Sequence, residues 1–174
     1  FCMISDNNNG YWLGVNKNTI KHINQDFKEI AAYRFEEGLN NVEHICLGDS
    51  SDVWVAFMGG GLGHLYPDSG KMEIYTTVNG LINNTVLNLL KDKNGNLWIS
   101  TIKGISFFNT STRKFRNFGK TDGLLIEEFN SDANYIAPDG EMFFGGVGGM
   151  VSFYPDSVEK YLSGGNTGNL LVTD

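Results

Sequence analysis

Apolar and polar residues alternate along this chain in short runs, and turn residues close each run. "VLNLLKD", "NLWIST", "GISFF" and "KFRNF" hold five to seven residues each, mostly β-branched, aromatic or aliphatic, bounded by Gly, Asn, Asp or Thr. Such runs predict β-strands. No stretch keeps a 3.6-residue apolar period long enough for a helix, so the helical repeat folds are set aside.

The strands recur with a fixed period. Tryptophans stand at 12, 54 and 98, and one further step reaches Phe143 in "GEMFFGG", which aligns with "GNLWIST". Gly38-Leu39, Gly80-Leu81 and Gly123-Leu124 keep the same spacing, as do "TIKHI", "GLGHLYPD", "GISFFN" and "GMVSFYPD". A period of just over 40 residues holding four short strands describes a propeller blade.

The predicted fold is therefore an all-β propeller of about four four-stranded blades, at 1–37, 38–79, 80–122 and 123–158. The inner strands are placed at 1–5, 43–47, 86–90 and 130–136. The second strands carry Trp12, Trp54, Trp98 and Phe143, and the charged runs "KEIAAYRF", "KMEIYTT" and "KFRNF" form outer edges that resist further pairing. Residues 159–174, with the Gly/Ser/Asn run "LSGGNTGN" before "LLVTD", read as a linker toward a following Ig-like domain or as the source of a last outer strand. The strand-like opening "FCMIS" reads as part of something longer.

Composition narrows the partners. A net charge of −7 and the absence of any basic cluster argue against nucleic acid and anionic membranes. Cys2 and Cys46 lie in separate apolar runs with no C-x-x-C spacing, which suits free thiols.

Candidate chemistry is sparse. "LKDKNGNLWIST" contains the opening of a calcium loop, but the equivalent turns "DNNNGY", "DSSDV" and "PDGEM" mark it as one hairpin of a repeat. Asn9-Gly10, Asn94-Gly95 and Asp139-Gly140 then predict type I′ turns, with Gly10, Gly95 and Gly140 as structural positions. The aromatic column of Trp12, Trp54, Trp98 and Phe143 reads as packing between blades. His22 and His64 share one strand column and His44 lies in another layer, so no metal site is expected. No catalytic motif or cofactor signature is present either, and the inner strands "FCMIS", "EHICL" and "VLNLL" are largely apolar.

"NGLINNTVLNLLKDKNGNLWISTIKGISFFN" resembles the repeat of two-component regulator propellers, and the stretch ending "FFGGVGGMVSFYPDSV" is similar to their closing blade. The resemblance implies the periplasmic sensor region of an inner-membrane hybrid histidine kinase/response regulator, from glycan-degrading bacteria, with a ring of more blades (seven-bladed type). It also implies a non-catalytic segment that recognises an oligosaccharide or transmits dimer state to a kinase, with a homodimer and the parent's other domains as partners. Loop position and chemistry nominate Asn40, Phe57, Asn83 and Lys103 as ligand contacts. A propeller enzyme of lyase or glycosidase type and a pure dimerisation scaffold are the alternatives.

Overall fold

The computed structural model describes the backbone of residues 2–15, 18–35 and 41–163. Four antiparallel sheets follow one another along the chain. The first is β1 (Cys2–Ser5), β2 (Gly10–Val15), β3 (Thr19–Asn24) and β4 (Glu29–Arg34). The second is β5 (Val42–Leu47), β6 (Val53–Phe57), β7 (Gly61–Tyr66) and β8 (Lys71–Tyr75). The third is β9 (Val86–Lys91), β10 (Leu97–Thr101), β11 (Gly104–Asn109) and β12 (Lys114–Phe118). The fourth has three strands among the described residues, β13 (Phe129–Ile136), β14 (Met142–Gly146) and β15 (Gly149–Phe153). Each strand pairs with its sequence neighbour, and β1, β5, β9 and β13 adjoin in turn, as the inner strands of propeller blades do.

Two-residue alternation divides each sheet into a face toward the next blade and a face toward the previous one. Trp12 buries among Val53, Val55 and Phe57 of the second sheet. Trp54 buries among Leu97, Ile99 and Phe108 of the third, and Trp98 among Met142, Phe144 and Phe153 of the fourth. The aromatic column is thus the wedge of each interface, and ring centroids 4.6 Å apart for Trp98 and Phe153 show how close it packs.

The Gly-Leu pairs have separate duties. Gly80 and Gly123 end single 3-10 turns at φ 108° and 94°, a left-handed conformation open to glycine. Leu81 and Leu124 then plug the core at 2% exposure each. Gly38, Leu39 and Asn40 lie outside the described residues, as does the run 164–174.

The hairpins joining first to second strands differ from the type I′ expectation. Asp6 and Gly10, Gly48 and Asp52, Asp92 and Asn96, and Ala137 and Glu141 close three-residue loops. Only the third loop residue is left-handed in all four, namely Asn9, Ser51, Gly95 and Gly140. Gly95 and Gly140 also donate back to Asp92 and Ala137, which makes these loops turns that end in a bulge. The counterpart of Gly95 in the first sheet is therefore Asn9, since a short polar side chain tolerates that conformation. Gly10 is glycine for another reason: a Cβ there would meet Asp6 Oδ2 and lie 2.7 Å from the Ile23 carbonyl.

After β15 the chain turns into α1 (Pro155–Ser163) where the pattern predicted the end of the propeller and a linker. Proline suits a first helical position, Asp156 sits at the positive end and Lys160 near the negative one. Among the described side chains of the helix, Pro155 is buried and Val158 buries beside Trp98 and Phe153. A helix of nine residues is too short for apolar periodicity to stand out from the surrounding strands.

Candidate functional site

The turns at one rim carry a recurring carboxylate. In the first sheet His22 is cross-strand to Trp12, stacks on it at 4.2 Å and donates Nε2–H to Asp6 Oδ2 at 2.7 Å. In the second, His64 stacks on Trp54 at 3.7 Å and donates to Asp52 Oδ2 at 2.5 Å. Burial alone would raise both carboxyls. The His22 bond with the Asn8 and Gly10 N–H groups brings Asp6 below its ordinary range, and the Ser50 N–H and His64 do so for Asp52. Acceptor-only carboxylates fix the proton on each histidine's Nε2. In the third sheet Phe107 replaces the histidine, and Asp92 serves the indole directly, accepting from Trp98 Nε1 at 3.2 Å.

Asp92 also accepts from the Asn94 and Asn96 N–H groups at 2.9 Å. The carboxylate that suggested a calcium loop is thus engaged by its own hairpin. Among the described residues no three His, Cys, Asp or Glu side chains gather to hold a metal ion.

Two clefts open on this rim. One, of about 540 Å³, lies between the first and second sheets and is lined by Asn7, Asn8, Tyr33, Asp49, Ser51 and Asp68 among others. The other, of about 480 Å³, lies between the third and fourth sheets and α1, lined by Lys93, Asp139, Tyr154 and Lys160 among others. Both fall within the range of small-ligand sites.

The nominated contacts fare differently. Phe57 ends β6 fully buried, edge-on to Phe35, so it cannot touch a ligand. The run "FMGGG" suggested a loop, but β6 extends through Phe57 to pair with Val42 and Gly61. Asn83 and Lys103 lie on the opposite rim, flanking the contact in which Ile82 N–H donates to Ser106 Oγ at 3.1 Å. Lys103 is exposed, and half-buried Asn83 accepts from the Thr85 N–H at 2.8 Å. Asn40 lies outside the described residues.

The inner strands are more polar than their first three copies suggest. A bulge in β13 leaves residues 130–133 out of register with β14, and Asp132 is left-handed there. Fully buried Asn88 holds this bulge through the Asn130 carbonyl and the Asn134 amide, each at 2.8 Å, and donates to Ser100 Oγ. From the bulge Ser131 reaches across to Glu43 Oε2 at 2.8 Å. His44 stands nearby, and burial lowers its pKa against the pull of Asp132. Cys2 and Cys46 are free thiols that burial pushes up to about 11, outside the range of a reactive thiolate.

Residues 80–103, which span β9, its hairpin and β10, match the model of the two component regulator propeller. That stretch carries the two-component regulator propeller repeat. Over 80 residues, 46% of its length, the repeat chain is 35% identical to histidine kinase P4 of Formosa agariphila, covering 6% of that protein. Its fold matches the extracellular domain of the putative hybrid two component system BT3049 from B. thetaiotaomicron at a TM-score of 0.78. That match has 24% identity and covers 91% of this chain and 22% of the other. Virginiamycin B lyase from Staphylococcus aureus shares the propeller fold at a TM-score of 0.68 and 17% identity, over 88% of this chain and 55% of the lyase. The chain therefore spans 6% of the curated kinase and 22% of the BT3049 extracellular domain that it matches.

Proposed function

We propose that these blades are a non-catalytic, extracytoplasmic sensor segment of a hybrid two-component system, which recognises an oligosaccharide and passes occupancy or dimer state to a kinase. The carrying observation is the repeat at 80–103 set in a rigid stack whose rim clefts present amides, hydroxyls, carboxylates and tyrosines. Fixed groups of this kind suit a neutral polyhydroxy ligand, which gains little from charge and much from many directed hydrogen bonds. Signalling requires the ligand to favour one arrangement of the paired sensors, since equal affinity for both shifts nothing.

Isothermal titration of the complete extracytoplasmic region against a panel of oligosaccharides tests the ligand. Binding heat that disappears in Asn8→Ala or Tyr33→Ala assigns the first cleft. Loss in Asn83→Ala or Lys103→Ala instead assigns the opposite rim. No heat across the panel refutes ligand recognition.

The inner polar network supports an enzyme reading less well. Its hydroxyl and carboxylate are spent on one another, Ser131 with Glu43, and Asn88 is saturated by three partners. Glycan turnover abolished by His44→Ala would reverse that preference.

A further inference from the structure

Helix α1 rests against the hairpin between β9 and β10 and brings an acid to it. Val158 buries beside Trp98, and Asp156 pairs with Lys93 in the hairpin turn. Half-buried Glu159 follows, hydrogen-bonded to the Asp92 carboxyl and the Asn94 side chain. Asp92 is an acceptor at this point, taking the Asn94 and Asn96 N–H groups at 2.9 Å and the Trp98 indole at 3.2 Å.

Two carboxyl groups bond to each other through one hydrogen. With three N–H donors aimed at Asp92, Glu159 is the group that carries it. Protonated Glu159 donates its O–H to Asp92 and accepts from the Asn94 amide. Ionised Glu159 loses that bond and sets two negative charges against each other in a partly desolvated contact.

The charges around the pair do not offset this. Asp156, on the same helix, adds a further negative charge and is engaged by Lys93. Lys160 is exposed, and Lys91 on β9 is held by the Gly48 carbonyl and Asp49. Asp139, in the hairpin before β14, accepts from the Tyr154 hydroxyl at 2.9 Å. Burial first, then the charge of Asp92, push the Glu159 carboxyl above its ordinary value, against the pull of Asn94.

We propose that α1 is a proton-dependent strap, which docks on the β9–β10 hairpin when Glu159 is protonated and loosens when Glu159 ionises. Pro155, Asp156, Ser157 and Lys160 form one wall of the cleft of about 480 Å³, so loosening opens that cleft. Any effect on a ligand there rests on the sensor reading, whereas the docking of α1 does not. A raised carboxyl stabilises the docked form fully below its ordinary 4.5, and the gain is lost as pH rises through the docked value.

Amide hydrogen exchange, corrected for the intrinsic rate at each pH, tests this in the unmodified chain and two variants. Protection of residues 156–163 relative to β10 is expected to fall about threefold or more between about pH 5 and about pH 7.5. Glu159→Gln keeps a donor and an acceptor at either pH. Its α1 should therefore stay as protected at the higher pH as the unmodified helix is at the lower. Lys93→Met removes the ion pair and should lower protection at both pH values while leaving their ratio unchanged. Protection of the unmodified α1 that does not respond to pH overturns the proposal. A Glu159→Gln helix less protected than the unmodified one at both pH values overturns it too, because the carboxylate would then be the docked form. Exchange is read without a glycan, so failure of the glycan titration does not bear on it.

Discussion

Asp6 and Asp52 reach the same place from opposite ends of equivalent hairpins. Asp6 precedes its loop and faces Gly10 beyond it, whereas Gly48 precedes its loop and faces Asp52. In each case the glycine makes room, since a Cβ on Gly48 or Gly10 would strike the carboxylate opposite. Two aspartates in one such hairpin would collide, and none would strand the imidazole of the buried His64. Gly48→Asp alone and Asp52→Gly alone are each expected to destabilise by about 1–3 kcal/mol. The double variant rebuilds the first-sheet arrangement and should recover to within about 1 kcal/mol of the parent in a chemical denaturation cycle. At the neighbouring hairpin, Gly95→Val places a branched side chain at φ 79° with its Cβ 2.5 Å from Asp49 Oδ2. A loss of roughly 1–3 kcal/mol is expected, and added calcium should leave the melting temperature of parent and variant unchanged.

Between elements, the outer strands are latched by charge. Glu73 on β8 receives Lys71 at 2.7 Å and, from the loop before β12, Arg113 at 2.7 Å, with Tyr66 and Tyr75 hydroxyls at 3.3 and 3.2 Å. The Lys71 bond, then the Arg113 charge, hold Glu73 at about 2 against an ordinary 4.5. A depressed carboxyl stabilises the fold fully above its unfolded value, and the gain drains away as pH falls from about 4.5 toward 2. Glu73→Gln should flatten the acid limb of a thermal-melt series over that window. At neutral pH it should cost only about 1 kcal/mol, because Lys71 and Arg113 are well exposed. What the sequence makes legible follows from the same division. Period and alternation locate the sheets because every blade buries the same positions. Partners reached through space leave no such trace: Glu73 with Arg113, Asn88 with the β13 bulge, and a carboxylate that changes sides between blades. Glycines beside Phe57 imitate a loop, and α1 is too short for its apolar spacing to stand out.

Across the whole molecule the sheets form a one-dimensional stack, in which stability is the sum of each sheet and its interfaces. Among the described residues the second and third sheets have two neighbours each, and the first and fourth have one each. Equivalent aromatic positions should therefore differ in worth. Trp98→Ala empties a fully buried wedge and is expected to cost about 3–5 kcal/mol, whereas Phe143→Ala at the open face should cost about 1 kcal/mol or less. Native-state hydrogen exchange should show the same gradient, slowest in β6 and β10 and faster in β2 and β14, because opening an end sheet breaks one interface rather than two.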